Sequence, residues 1–381
     1  MTGLLETPYG TQDFLPREAA AKRAVEDKIF KLFASFGYDE VVTPTMEYLE
    51  TLTTASGRTQ EPHLFKMFDR NNRTLALRHE MTTPIARLVV SRLKDSPTPI
   101  KLSYNTNVFR FRTNQPGRQC EFYQAGVELI GISNAFADAE VISLAAQALN
   151  VAGLENFKIC LGQVDFAGGL MANLPSDVQN EVKSAIERHD IVALDNLNVD
   201  NALKLIPTLQ GGKEILSAAQ SIANNDRSRR ALDNLTEIYC LLEVYGVADK
   251  ITFDLGLIRD FEYYTGMVFE AYSPGVGYSL AGGGRYDNML NDFGAARAAT
   301  GFALGIERIL DARKFQNVAE DSQTKDFYLS YAKGFEDAAI KRAAQLRAAD
   351  KVVEVSLTPQ TKADAEKSCA EKNCVELIYL Q

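Results

Sequence analysis

The sequence predicts an α+β protein: a strand-rich core that carries a helical insertion, followed by a small α/β unit. Three observations predict it. Strand-like alternation recurs between helical stretches on both sides of the chain's middle third. That middle tract, from about 166 to 248, is mostly helical and lacks strand alternation. The tail alternates strand, helix, strand, helix, strand from near residue 325. The expected domains are therefore a core over 1–320 and a tail unit over 325–381.

The elements follow in order. Residues 17–36 carry Val25, Ile29, Leu32, Phe33 and Phe36 at helical spacing, and Gly37 stops that helix. YDEVVTPTME then reads as a short strand broken by Pro44. RTLALRHE, residues 73–80, alternates like a strand, and the helix MTTPIARLVVSRL follows it. Residues 100–111 and 121–131 are strands separated by the polar loop RTNQPGRQC. In the second of them Tyr123, Ala125, Val127 and Leu129 share one face, and Gln124, Gly126 and Glu128 share the other. A glycine between two polar residues leaves open space beside them, as the floor of a small-ligand site would. An ordinary wet face on an antiparallel strand gives the same pattern. Residues 137–153 read as helix, and Ser176-x-x-Gln179 in the insertion has the form of a capping box. Strands resume with ITFDLGLIRD, YYTGMVFEAY and YSLAGGGRYDNML, and ATGFALGIERILDAR runs from strand into helix.

Composition narrows the function classes. The 381 residues are 46% hydrophobic with a mean hydropathy of −0.16, values that allow a large buried core. No apolar run reaches the roughly 18–20 residues of a membrane span, and the N-terminal stretch lacks the basic and apolar regions of a signal peptide. Five scattered cysteines with no C-x-x-C pair, and only three histidines, point to a reduced cytoplasmic protein without a metal centre. A net charge of −9 and a pI near 5.1 argue against a general electrostatic grip on nucleic acid.

Three polar clusters interrupt the apolar strands. The first is Arg78-His79-Glu80-Met81-Thr82. The second is Phe109-Arg110-Phe111-Arg112 with Gln124 and Glu128. The third joins Arg259, Tyr263 and Tyr264 to Gly282-Gly283-Gly284-Arg285 and to Glu307-Arg308. Carboxylates at 80 and 128 suit an ammonium and an imidazole N–H, and arginines at 110, 259 and 308 suit a carboxylate or phosphate. The tyrosines add a flat apolar wall with hydroxyl handles. Each piece has a plainer account: a surface ion pair for Glu307 and Arg308, a bend or bulge for the glycine run, strand packing for the tyrosines, and an edge-strand arginine for Arg110. Their joint order favours a small zwitterion with a second polar group, or a nucleotide.

That order resembles histidyl-tRNA synthetase and its relatives over about residues 8–315. TPYGTQDFLP is similar to the family's opening segment, and the helix to Gly37 with Pro44 resembles class II motif 1. NVFRFR with EFYQAGVELIG resembles motif 2, and ATGFALGIERIL resembles motif 3. The segments LIRDFEYYTG and AGGGRYDNML resemble those specific to the histidine branch. The resemblance implies a class II aminoacyl-tRNA synthetase-like core with a six-stranded antiparallel sheet. It implies that Glu80, Thr82 and Gln124 hold a ligand's α-amino group, that Glu128 and Tyr263 read an imidazole, that Tyr264 lines the pocket, and that Arg259 faces the carboxylate. Arg110 and Arg308 match the arginines that hold ATP phosphates in true synthetases.

The departures point to one branch. Arg112 stands where synthetases carry a nucleotide-binding glutamate, a charge reversal that would disfavour the nucleotide. His79-Glu80-Met81 replaces Pro-Glu-Gly, and Asp260 replaces the glycine after the catalytic arginine, where it can neutralise Arg259. The tail is shorter than a complete anticodon-binding domain. The paralogous family with these traits comprises the regulatory subunits of short-form ATP phosphoribosyltransferase, which acts at the first step of histidine biosynthesis. Membership implies no catalytic residues and no cofactor. It implies a partner in the catalytic subunit of the transferase, a homodimer within a hetero-oligomer, and feedback sensing of free histidine. The competing expectations are a divergent histidyl-tRNA synthetase or histidine-activating ligase, kept open by Arg110, Arg259 and Arg308, and an uncharged-tRNA sensor, disfavoured by the pI and the short tail.

Overall fold

The first helix, Pro16–Ser35, buries Val25, Ile29 and Phe33 along its apolar stripe. It ends as its sequence predicts. Gly37 adopts φ +78° and its amide bonds back to the Ala34 carbonyl, while the Tyr38 amide reaches the Phe33 carbonyl, a left-handed stop that glycine makes without a Cβ penalty. The computed structural model describes residues 4–54, 58–111, 119–257, 264–319 and 324–381. Its strands in chain order are β1 Asp39–Glu40, β2 Met46–Tyr48, β3 Lys66–Phe68, β4 Thr74–Leu77, β5 Ile100–Phe109, β6 Glu121–Ile130, β7 Lys158–Gln163, β8 Gln210–Gly211, β9 Ile251–Asp254, β10 Met267–Tyr272, β11 Ala281–Arg285, β12 Ala299–Gly305, β13 Lys325–Tyr331, β14 Val353–Val355 and β15 Cys374–Leu380.

The chain divides into two compact units, Met1–Phe14 with Lys22–Ala319, and Leu15–Ala21 with Glu320–Gln381. The larger unit is built on a nine-stranded sheet in the order β1-β5-β6-β12-β11-β10-β7-β9-β8. Its middle, from β5 through β7, is an unbroken antiparallel run of six strands. Short parallel additions, β1 on β5 and β9 on β7, extend the two edges. The fold class is therefore α+β and class II-like. A second sheet, β2-β4-β3, is antiparallel. In the smaller unit β14-β13-β15 are all parallel, connected by the helices Glu336–Ala348 and Lys362–Glu371. No helix among the described residues is long and apolar enough to cross a membrane.

β6 separates two hydrophobic cores. Ala125, Val127 and Leu129 belong to the larger cluster, with the helix Ala135–Val151 and the insertion helices. Phe122 and Ile130 belong to a smaller cluster with Met81, Ile85, Tyr104, Tyr286 and Met289. The alternation read from the sequence is correct, but neither face is wet: Glu128 is 2% exposed.

Several expectations change. The segment YDEVVTPTME gives two strands in two different sheets, β1 and β2, rather than one. β7 was not legible as a strand, because its sequence, KICLGQ, is a short apolar run without alternation. The insertion is helical at Val164–Met171, Ser176–Glu187 and Asp226–Val244, yet it also contributes the edge strand β8. The capping box at Ser176 does not form. Pro175 precedes the helix as N-cap, and the Gln179 side-chain Nε2 donates instead to the Leu174 carbonyl.

Candidate functional site

The site begins where the helix Thr82–Arg92 starts. That terminus must satisfy the amides of its first turn, and the run Glu80-Met81-Thr82-Thr83-Pro84 does so fully. The Thr82 amide donates to Glu80 Oε2 at 2.5 Å and the Thr83 amide to Glu80 Oε1 at 3.0 Å. Pro84 has no amide hydrogen, and Ile85 N–H makes the first helical bond to Met81. A carboxylate there also complements the helix dipole. Glu80, 5% exposed, is thus held by the helix that follows it.

Sheet register brings the other residues to it. Gln124, Gly126 and Glu128 on β6 lie opposite Gly305, Ala303 and Gly301 on β12, and Gly126 lies opposite Tyr104 on β5. Glu80, Met81, Thr82, Tyr104, Arg110, Gln124, Glu128, Tyr264, Tyr286 and Arg308 all line one cavity of about 90 Å³. That is the scale of the roughly 150 Å³ space that admits benzene, and well below the roughly 300–1,000 Å³ of drug- and cofactor-sized clefts. Of the residues expected at a ligand site, Glu80, Thr82, Gln124, Glu128 and Tyr264 come together here, as do Arg110 and Arg308. Arg259 and Tyr263 lie outside the described residues, as do Arg112 and Asp260.

Glu128 is strongly perturbed. Burial pushes its carboxyl up to about 8, and nearby Glu80 pushes the same way, against hydrogen bonds from Tyr286 and Thr82. It therefore holds its proton at neutral pH. The Tyr286 hydroxyl donates to Glu128 Oε2. Gln124 Oε1 is buried without a hydrogen-bond partner among the described residues, an acceptor suited to a ligand N–H. Arg110 Nε donates to the His79 carbonyl at 2.9 Å, with its guanidinium over the Phe122 ring. Arg308 donates to the Ser279 carbonyl at 2.6 Å and stacks over Tyr278. His79 is buried and its imidazole is pushed down to about 4 by desolvation, so it is neutral at physiological pH.

The structure corrects several sequence-level readings. The space over Gly126 is not open: a Cβ there would overlap the Tyr104 hydroxyl and the Phe302 carbonyl oxygen. Gly126→Ala is expected to destabilise the protein by about 1–3 kcal/mol, measured by urea unfolding. A change under about 0.5 kcal/mol would mean that both the Tyr104 ring and the Phe302 backbone give way freely. Gly282–Gly284 is neither bend nor bulge but regular strand, and a Cβ on Gly284 would stand 2.6 Å from the Tyr264 ring. Glu307 is no surface ion-pair member. It is 7% exposed, accepts the Tyr123 amide at 2.9 Å, and is pushed up to about 7 by burial. Arg78 is a structural tie, donating to the carbonyls of Thr43 and Asn107.

Sequence reasoning missed Tyr104 and Tyr286, and it noted Met81 only as a departure from the family pattern, not as a residue of the cavity wall. Tyr286 had a signal: it shares strand parity with Gly282 and Gly284, and its amide continues the pairing with Ala299. Tyr104 had none, because its place over Gly126 depends on the β5–β6 register. Met81, standing where the resemblance expects glycine, is 1% exposed and narrows the cavity. Among the described residues no cluster of His, Cys, Asp and Glu could hold a metal ion, and all five cysteines are free.

Comparison with known proteins gives concordant matches. The sequence model of the histidyl-tRNA synthetase family matches residues 10–309. An ATP phosphoribosyltransferase regulatory subunit of Moorella thermoacetica is 43% identical over 319 residues, covering 81% of this chain and 82% of the relative. That of Symbiobacterium thermophilum is 41% identical over 93% of this chain and 92% of the relative. The crystal structure of an ATP phosphoribosyltransferase regulatory subunit/histidyl-tRNA synthetase from Bacillus halodurans C superposes with a TM-score of 0.87 at 33% identity, covering 99% of both chains.

Proposed function

Since the chain belongs to the histidyl-tRNA synthetase family and, within it, to the ATP phosphoribosyltransferase regulatory subunits, we propose that it is a non-catalytic histidine sensor that activates a short-form catalytic transferase subunit. It works as a homodimer within a hetero-oligomer in the cytoplasm, without a cofactor or a nucleic-acid partner. Glu80, Thr82 and Gln124 take the α-amino group of free histidine. Glu128 and Tyr263 read its imidazole, Tyr264 lines the pocket, and Arg259 faces its carboxylate. Arg110 and Arg308 are the remains of a phosphate site. Histidine then favours a less active state of the complex, which requires different affinities for the two states.

The observation that carries this reading is the convergence of Glu80, Gln124 and Glu128 on one small cavity, with a buried amide oxygen still available to a donor. Calorimetric titration of the chain with L-histidine tests it, and no heat and no thermal shift at millimolar histidine would count decisively against it. Co-purification with a catalytic subunit lacking its own regulatory domain tests the partnership. Binding also carries a proton signature. An imidazole N–H donated to Glu128 favours the ionised carboxylate, so binding below pH 8 expels the proton that burial keeps there. Affinity is expected to rise between pH 6.5 and 8, by at most tenfold per unit, with net proton release. Titrations in buffers of different ionisation enthalpy measure it, and affinity falling across that window would contradict the role given to Glu128.

A second reading, a histidine-activating ligase, is favoured by one observation: Arg110 and Arg308 line the same cavity as the carboxylates. Histidine-dependent pyrophosphate exchange by the isolated chain with ATP and magnesium would put that reading in place of the first.

A further inference from the structure

Glu128 alone does not explain why the cavity would choose a ring with nitrogen over one without. A buried carboxyl that can swing discriminates poorly, because it can turn toward a protein partner whenever the ligand offers no hydrogen bond. Discrimination of several orders of magnitude requires a polar group that is fixed and that stays unpaired when the wrong ligand binds. Two hydroxyls hold Glu128 in place: Tyr286 donates to Oε2, and the Thr82 side chain makes a second hydrogen bond. Tyr286 is itself fixed. It is 3% exposed, its amide pairs with the Ala299 carbonyl, and its ring belongs to the cluster of Met81, Ile85, Met289 and Leu290. The backbone opposite is glycine, and a Cβ on Gly301 would overlap the Glu128 carboxylate. The carboxyl is thus packed against bare backbone on one side and pinned by the tyrosine.

We propose that Tyr286 is the positioning residue that sets the ligand specificity of this cavity, by pinning the Glu128 carboxyl so that only a side chain with a ring nitrogen satisfies it. The proposal rests on the histidine-binding reading above and names its selectivity device. Tyr286 acts through Glu128, and the groups that share that environment are Glu80, Thr82 and Tyr104. Removing the hydroxyl leaves Thr82 as the carboxyl's one remaining hydroxyl partner, so the carboxyl can turn about that bond and away from the ligand. Histidine then loses its aligned partner, while an isosteric ring without nitrogen loses nothing.

The test compares L-histidine with β-(2-thienyl)-L-alanine by calorimetry on the full chain and on Tyr286→Phe. The parent is expected to prefer histidine by at least 100-fold. Tyr286→Phe is expected to lower histidine affinity 10- to 100-fold and to leave thienylalanine affinity within threefold, so that the preference collapses. A purely structural role would weaken both ligands together. If Tyr286→Phe keeps the parent's preference, or if both ligands weaken equally, the proposal is overturned while the histidine reading stands. If the parent itself ignores histidine, the histidine reading fails and the proposal with it. Should the phenylalanine variant not fold, site-specific 3-fluorotyrosine at 286 supplies the second arm. A more acidic phenol strengthens donation to Glu128 and is expected to move the pH midpoint of histidine binding downward; an unmoved midpoint overturns the proposal.

Discussion

Glu128→Gln is expected to make the protein more stable at neutral pH and to weaken histidine binding by about two orders of magnitude. The parent carboxyl is raised to about 8 by burial, against the usual value near 4.5 in an unfolded chain. An acid raised in the folded state contributes its full stability below pH 4.5 and loses it progressively as pH climbs toward 8, because the unfolded chain releases the proton first. At pH 7 the gap is about 2.5 pH units, so the native state bears a penalty on the order of 3 kcal/mol. Glutamine has no such penalty, keeps the shape, and can still accept the Tyr286 hydroxyl. The stability advantage of the variant is expected to be small at pH 5 and to grow to about 3 kcal/mol at pH 7, read by urea unfolding at each pH. Histidine affinity is expected to fall by about 100-fold, the worth of a desolvated charge-assisted hydrogen bond. A variant no more stable at pH 8 than at pH 5, relative to the parent, would refute the assignment of a strained buried acid. Stability held back in exchange for ligand recognition is the usual sign of a functional group in a core.

Arg285→Ala is the second large effect, and it is a loss. Arg285 donates to both oxygens of Asp138, at 3.1 Å from Nε and 2.8 Å from the terminal nitrogen, and to Asp287 at 3.0 Å. It also reaches the Ile132 carbonyl. Asp138 is 1% exposed, and burial raises its carboxyl even against the attraction of Arg285. The network joins β11 to the helix Ala135–Val151, so it fixes the sheet on which the cavity is built. Truncating the arginine leaves Asp138 buried without its counter-charge, and a loss of about 3–5 kcal/mol is expected in urea unfolding. Replacing both partners, as Arg285→Met with Asp138→Leu, is expected to recover most of it, since the cost lies in the orphaned charge. A single variant within about 1 kcal/mol of the parent would remove Arg285 from the structural frame. The Gly-Gly-Gly-Arg run looks like ligand chemistry in the sequence; its arginine serves the fold instead.

The sequence by itself determined much of this protein. Helix stops, strand parity along residues 121–130, the mostly helical insertion and the alternating tail are all written in local patterns, because turn chemistry and side-chain period act over a few residues. It also named Glu80, Thr82, Gln124, Glu128, Tyr264, Arg110 and Arg308, which the sheet gathers at one cavity. Only the tertiary structure decided how those groups behave. Tyr104 fills the place over Gly126 because of a strand register that no local pattern specifies. Glu80 caps a helix, Glu307 is buried against a strand amide, and Glu128 keeps a proton, since each depends on which neighbours exclude water. Residue type and spacing are local properties that a chain carries even when unfolded, whereas desolvation and hydrogen-bond partners are set by distant segments and exist only once the sheet has closed over them.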